Sequence, residues 1–260
     1  MSDAPVYIDV GAGPAARRIA LRKEAGTAPG TFWLGGFKSD MRGTKAEALA
    51  QHAVRTGRAC IRFDYSGHGE SEGRFEDGTI SRWLEEARTV FETQAIGPQI
   101  VVGSSMGGWI ALLLARALAQ QPAKNASLAG LALIAPAPDF TEDLMWAQFS
   151  PSVRREIEEK GAWQRPSAYG DEPYPITRAL IEDGRKHLLL DQPIAIGCPV
   201  RILQGVQDPD VPYAHVMKLV TCLAQDDVVL TLVKDGDHRL SRPEDIERLL
   251  RTIDELAAGA

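Results

Sequence analysis

Apolar residues along the chain fall into short runs separated by glycine-rich and polar breaks. Positions 6–10 and 18–22 alternate apolar and polar residues, the pattern of half-buried strands, and Gly11-Ala12-Gly13-Pro14 between them suits a turn. They read as an antiparallel pair at one edge of a sheet. Runs at 30–34, 59–63, 100–102, 128–134, 200–204 and 228–233 are short and almost continuously apolar, as expected for strands covered on both faces. Between them the spacing changes to that of helices: 44–56, stopped by Gly57; 79–92, with Ile80, Trp83, Leu84, Ala87, Val90 and Phe91 on one face; 109–118; 214–224; and 243–257, which Pro243 can open. Strands alternating with helices predict an α/β fold, a doubly wound and mostly parallel eight-stranded sheet.

The alternation lapses between residues 139 and 190, where short helical pieces such as 151–160 are interrupted by Gly161, Pro166, Gly170, Pro173 and Pro175, and no strand is predicted. A segment of this length is too long for a plain loop in a compact domain. It reads as a small helical cap inserted after the sixth strand, so that 1–138 and 191–260 form the core and 139–190 the cap.

Candidate chemistry centres on Gly103-Ser104-Ser105-Met106-Gly107, a Gly-x-Ser-x-Gly sequence between a β-branched strand and an apolar helix. A sharp turn in that setting lifts a hydroxyl clear of the sheet and over the helix N-terminus, which makes Ser105 the candidate nucleophile. A tight turn in any parallel sheet would use the same residues, so the partners decide. A serine needs a base to take its proton and a carboxylate to orient that base, and on such a sheet they follow in the order Ser, acid, His. His238 follows the last strand in Lys234-Asp235-Gly236-Asp237-His238 and is the candidate base. His52 and His215 lie in helical stretches, His187 beside the cap, and His68 in a loop that precedes Ser105. Asp208, directly after the strand at 200–204, is the candidate acid, with Asp210 as its rival. An oxyanion would be met by two backbone N–H groups, that of Met106 after the nucleophile and that of Phe37 after Gly35-Gly36.

Composition narrows the surroundings. A net charge of −6 with both signs interspersed leaves no basic footprint for nucleic acid, and 44% hydrophobic residues in 260 suffice for a sizeable core. Three widely spaced cysteines, Cys60, Cys198 and Cys222, read as reduced apolar residues and not as a disulfide framework or metal site. No signal-peptide pattern is visible at the N-terminus, and the longest apolar stretch, 109–115, is too short to span a bilayer. The expected location is therefore the cytoplasm, without stable membrane insertion.

With these residues assembled, the chain resembles the α/β-hydrolase superfamily over essentially its whole length. Asp64 to Ser71 is similar to that family's Asp-x-x-Gly-x-Gly-x-Ser loop, and Gly205-x-x-Asp208-x-x-Val211-Pro212 to its acid motif. Asp64-Tyr65-Ser66-Gly67, Gly103 to Trp109, Lys160 to Tyr169 and Asp237-His238-Arg239 are similar to its mitochondrial palmitoyl-protein thioesterase and acyl-glucuronide esterase branch. Two departures are the absence of a visible transit peptide and Gly35, where many relatives carry histidine. The resemblance implies the α/β-hydrolase fold and a serine esterase or thioesterase that needs no metal or organic cofactor. Its expected substrate is a small-molecule ester or thioester, or an acylated protein. In the cap, Trp146, Phe149, Trp163, Tyr169 and Tyr174 either line an acyl tunnel or pack the cap on the body; Trp146, Trp163 and Tyr169 are the candidate substrate contacts. Alternatives are peptide or carbon–carbon bond hydrolysis on the same scaffold, or a binding protein that keeps the fold without the chemistry.

Overall fold

The computed structural model describes residues 4–166, 173–223 and 227–260. In chain order the strands are β1 (Val6–Val10), β2 (Arg17–Glu24), β3 (Thr27–Leu34), β4 (Arg58–Phe63), β5 (Gly97–Ser104), β6 (Ala126–Ile134), β7 (Ala162–Arg165), β8 (Tyr174–Thr177), β9 (Val200–Gly205) and β10 (Val228–Val233). Eight of them form one sheet in the order β1-β2-β4-β3-β5-β6-β9-β10, with β1 and β2 antiparallel at one edge and the strands from β4 to β10 parallel. The doubly wound, mostly parallel eight-stranded sheet is therefore as expected.

Alternate strand residues serve two cores, which is why the runs look apolar throughout. Phe32, Val101, Leu131 and Ile202 face one side, packed by helices α2 (Ile80–Gln94) and α3 (Met106–Gln120). Trp33, Ile100, Val102, Ala132 and Leu203 face the other, packed by α1 (Thr44–Thr56) and the terminal helix (Pro243–Ala258). Trp83, Trp109 and Phe91 are fully buried on the first side. Each such side chain contributes about 1.5–3 kcal/mol through removal of apolar surface from water.

Two local expectations are corrected. Strand β3 begins at Thr27 and not at Gly30, with its register on β4 shifting between Thr27 and Thr31. Pro29 lies within that shift, where an irregular stretch of ladder tolerates its missing N–H. Residues 139–190 do contain strands: β7 and β8 pair antiparallel in a separate two-stranded ribbon, placing Trp163 opposite Ile176 and Gln164 opposite Pro175. In so short a ribbon Pro175 occupies an edge strand, where a missing donor costs little, and so the interrupted pattern conceals it. The helices in this segment are α4 (Pro151–Lys160), capped by the Ser150 hydroxyl accepting from Val153 N–H, and α5 (Arg178–Gly184), capped by Thr177 accepting from Leu180 N–H.

The two stems of that segment are joined by one buried carboxylate. Asp139, just beyond β6 and at φ +57°, accepts from Leu189 N–H (2.9 Å) and Leu190 N–H (2.8 Å) across 50 residues of chain. Burial pushes its carboxyl up to about 6, against an ordinary aspartate near 3.9. Between those values the folded chain holds a proton that the unfolded chain has lost. The stabilising contribution of this titration is thus full below about pH 4 and fades as the pH rises through about 6. Asp139→Asn removes that titration, so in urea unfolding between pH 4 and 7 the variant should lose less stability with rising pH than the wild type; equal slopes would contradict this placement.

Candidate active site

The Ser105 backbone lies at φ 54° and ψ −117°, between the end of β5 and the first residue of α3. A non-glycine residue there carries strain of roughly 1–3 kcal/mol and persists only when its surroundings hold it. Here the Ser105 N–H donates to Ile134 O (2.9 Å), while its carbonyl accepts from Gly108 N–H (2.9 Å) and Ala137 N–H (3.1 Å). The turn works because strand and helix nearly touch: a Cβ on Gly107 would stand 2.1 Å from Leu34 O, and one on Gly103 2.4 Å from Gly107 O.

The structure brings together the three residues expected to act in concert. The His238 Nδ1–H donates to Asp208 Oδ2 at 2.8 Å, and its Nε2 faces the Ser105 Oγ at 3.1 Å. The Asp208 side chain is fully buried and the imidazole 17% exposed. Burial of that carboxylate is compensated at every oxygen: Oδ1 accepts from Asp210 N–H (2.9 Å) and Val211 N–H (2.8 Å), and Oδ2 also from Gln204 Nε2 (3.2 Å). Asp210 thus contributes a backbone N–H to the acid, while the contact to the imidazole is made by Asp208. Asp208, Asp210 and His238 hold three potential ligand atoms within 4.8 Å of one another, but the donors and acceptors of Asp208 and His238 are already engaged with each other and with Ser105.

The other histidines have separate roles. His52 meets Asp254 at 2.9 Å, His187 meets Ser81 at 2.7 Å, and His215 donates to Pro138 O at 2.8 Å. His68 is buried, and its Nε2 accepts the Lys38 N–H at 3.1 Å. Burial pushes its pKa down to about 4.

Gly36 lies against the nucleophile, with a Cβ on it falling 3.4 Å from Ser105 Cβ. Neither the Phe37 N–H nor the Met106 N–H meets an acceptor among the described residues. Ser105, His238, Phe37 and Met106 all line a cavity of about 900 Å³. Its lining is mixed, with apolar Phe140, Leu144, Met145 and Val211 and polar Ser39, Asp40, Lys45 and Ser241. Lys45 Nζ donates to Arg239 O and to Ser241 Oγ (3.3 Å), bracing the residues just after His238, and burial pushes its pKa down to about 8.

Of the cap aromatics, Trp146 and Trp163 are not among the residues lining this cavity. Trp146 lies under the guanidinium groups of Arg154 and Arg185, and Trp163 packs edge-on to Phe149 with centroids 5.3 Å apart. Tyr169 lies outside the described residues. Tyr174 does line the cavity, with Lys38 Nζ 4.8 Å from its ring centroid. Lys45 and the support role of His68 escaped sequence reading because each depends on residues distant in the chain, and Gln204 because its bonds to Asp208 and Val211 exist only once the turn after β9 is folded; only His68, inside a recognisable loop motif, carried any signal.

With fold and geometry in place, the class of protein follows. The Alpha/beta hydrolase family model matches residues 26–249, and the chain belongs to that family. It is a serine hydrolase of the ester and thioester class. Among its relatives is the human mitochondrial palmitoyl-protein thioesterase ABHD10, 38% identical over 239 residues that cover 92% of this chain and 76% of the relative. A solved putative hydrolase from Agrobacterium vitis S4 superposes with a TM-score of 0.93 at 50% identity, covering 97% of this chain and 98% of that one. Mouse ABHD10 superposes at 0.84 with 34% identity, covering 96% and 98%. These relatives correct the expected cytoplasmic location, since the ABHD10 proteins are named as mitochondrial. Compartment is set by sorting signals, and a residue pattern that lacks one class of signal does not specify it.

Because the approach of Leu34 O to Gly107 is backbone to backbone, Gly107→Ala has no flexible side chain to displace. We expect it to lower stability by about 2–4 kcal/mol in denaturant unfolding; a midpoint equal to wild type would contradict the close approach.

Proposed function

We propose that this protein hydrolyses acyl esters and thioesters through an acyl-enzyme on Ser105. His238 Nε2 takes the hydroxyl proton as Oγ attacks the substrate carbonyl carbon, and the carbonyl π pair moves onto oxygen. The resulting oxyanion is received by the N–H groups of Phe37 and Met106, each such donor being worth about 3–4 kcal/mol of barrier. Asp208 keeps the imidazole in the required tautomer and stabilises its charged form. Collapse expels the alkoxide or thiolate, protonated by His238. Water, deprotonated by the same nitrogen, then attacks the acyl-Ser105 carbonyl, and collapse of the second tetrahedral intermediate releases the carboxylic acid and returns the proton to Oγ.

The single observation that carries this reading is the continuous contact Asp208–His238–Ser105, at 2.8 and 3.1 Å, opening into a cavity partly lined by apolar side chains. The oxyanion assignment is supported by the backbone N–H groups of Phe37 and Met106, which meet no acceptor among the described residues, and by the approach of Gly36 to Ser105. Residues 139–190 act as a cap in this reading, since Phe140, Leu144 and Met145 supply the apolar wall against which an acyl chain would lie. Similarity to palmitoyl-protein thioesterases supports long-chain S-acyl proteins or peptides as substrates.

Fluorophosphonate labelling tests the nucleophile: Ser105→Ala should abolish labelling and hydrolysis while unfolding at the wild-type temperature, and label retained on another residue would overturn the assignment. Asp208→Asn, which presents an N–H to His238 Nδ1, should lower kcat by about 10³–10⁴. In a panel of matched acyl substrates, esters and thioesters of long chains should be cleaved in preference to amides; preferential amide cleavage would favour a peptidase instead.

A further inference from the structure

Resting on the reading of Phe37 N–H as an oxyanion donor, we propose that His68 is a positioning residue for the reaction: its neutral ring holds the donor loop in register with Ser105. The geometry is direct. Nδ1–H donates to Ser66 O at 3.2 Å, which leaves Nε2 unprotonated and able to accept the Lys38 N–H at 3.1 Å. Lys38 follows Phe37 and stands at φ +58°, a left-handed conformation that a lysine does not hold unaided. The bond fixes the amide plane next to the donor, and a donor displaced by a fraction of an ångström loses most of its preference for the transition state.

The ring cannot swing away, because it is boxed by Tyr65, Phe75 and Trp83 at centroid distances of 5.8, 5.2 and 5.3 Å. Phe37 meets the same box, 4.9 Å from Phe75 and 5.9 Å from Trp83. The loop that carries His68 is itself anchored. Ser66 donates from both its N–H (2.8 Å) and its hydroxyl (2.6 Å) to buried Glu86, which is paired with Arg17. Asp64 accepts the Met41 N–H at 2.6 Å, so the segment after Phe37 is held at a second point by the same loop. Burial keeps His68 uncharged through the neutral range, as an acceptor must be. The flexible part of the donor segment, Gly35-Gly36, is thereby framed by a rigid template from the neighbouring strand's loop. Gly35 and Gly36 offer no side chain to order this segment, and His68 supplies a fixed acceptor to the residues that follow.

The test compares His68→Phe, which fills the aromatic slot without an acceptor, with His68→Gln, whose Oε1 can take the Lys38 N–H. With p-nitrophenyl butyrate, His68→Phe should lower kcat roughly 100-fold, the scale of losing one oxyanion donor, with KM within about threefold. His68→Gln should recover most of that loss. The inhibition constant of a trifluoromethyl ketone should rise in His68→Phe in proportion to the fall in kcat/KM. An unchanged kcat in His68→Phe, or an equal loss in both variants when both melt as wild type, overturns the proposal. Should His68→Phe fail to fold, nitrogen NMR of the wild type decides: a coupling across the hydrogen bond between His68 Nε2 and the Lys38 amide supports the proposal, and a protonated Nε2 refutes it. Failure of the acyl-enzyme reading is distinguishable, since the wild type would then form no labelled Ser105.

Discussion

One strained backbone residue sets the terms for everything else. Ser105 can project its hydroxyl above the sheet only if β5 turns into α3 within a single residue at positive φ. That is possible only where Gly103, Gly107 and Gly108 let strand, helix and the end of β3 come into contact. Three backbone hydrogen bonds to β6, α3 and the segment after β6 hold the residue there. The strain is offset by packing already present in the fold, including the fully buried Trp109 one turn further along α3.

Given that elbow, the other chemical groups have to arrive from neighbouring strands. β9 and β10 are parallel neighbours in register, Val200 opposite Val228, so the loops that follow them leave the sheet at the same edge. The acid and the imidazole are carried by those two loops, 30 residues apart in sequence. The loops approach so closely that a Cβ on Gly205 would fall 2.4 Å from Gly236 O. Burying the Asp208 carboxylate would be unfavourable without acceptors filled, and the turn at 208–211 fills them with its own N–H groups. Gln204 spans the same turn, donating to Val211 O at 2.9 Å. Lys45 reaches across from α1 to hold the residues after His238.

The donor side is built by a different device. Glycines at 35 and 36 leave the backbone free to approach the nucleophile, and the cost is a segment without inherent order. Order is imposed by the loop after β4, whose His68 and Asp64 take the N–H groups of Lys38 and Met41 just beyond that segment. Both acceptors are buried, which moves their titrations in opposite directions, Asp64 up to about 6 and His68 down to about 4. Between β6 and β9, Phe140, Leu144, Met145 and Tyr174 add to the cavity lining, and this part of the chain is tied to the body by Asp139 and by Ser81, which donates from N–H and hydroxyl to Asp183 at 2.7 and 2.8 Å.

Strand and helix order, the serine at the elbow, and a histidine and an aspartate after the last two parallel strands were legible in the chain, because periodicity and turn chemistry are local properties. The ribbon of β7 and β8 was not, since Pro175 in an edge strand looks like a break, and neither was the early start of β3 at Thr27. The cap aromatics show the limit most clearly. Sequence places Trp146, Trp163 and Tyr174 in one segment, but only the packing of that segment brings Tyr174 to the cavity and sets Trp146 against two guanidinium groups. Likewise His68 could be recognised as a loop histidine, while its partner, a backbone N–H 30 residues earlier, exists only once β3 and β4 lie side by side. The amino-acid order thus determined which groups stand at the carboxyl edge of which strand. The tertiary structure alone decided their distances, their burial and their partners, because hydrogen bonds between remote segments depend on sheet order, which no local pattern encodes.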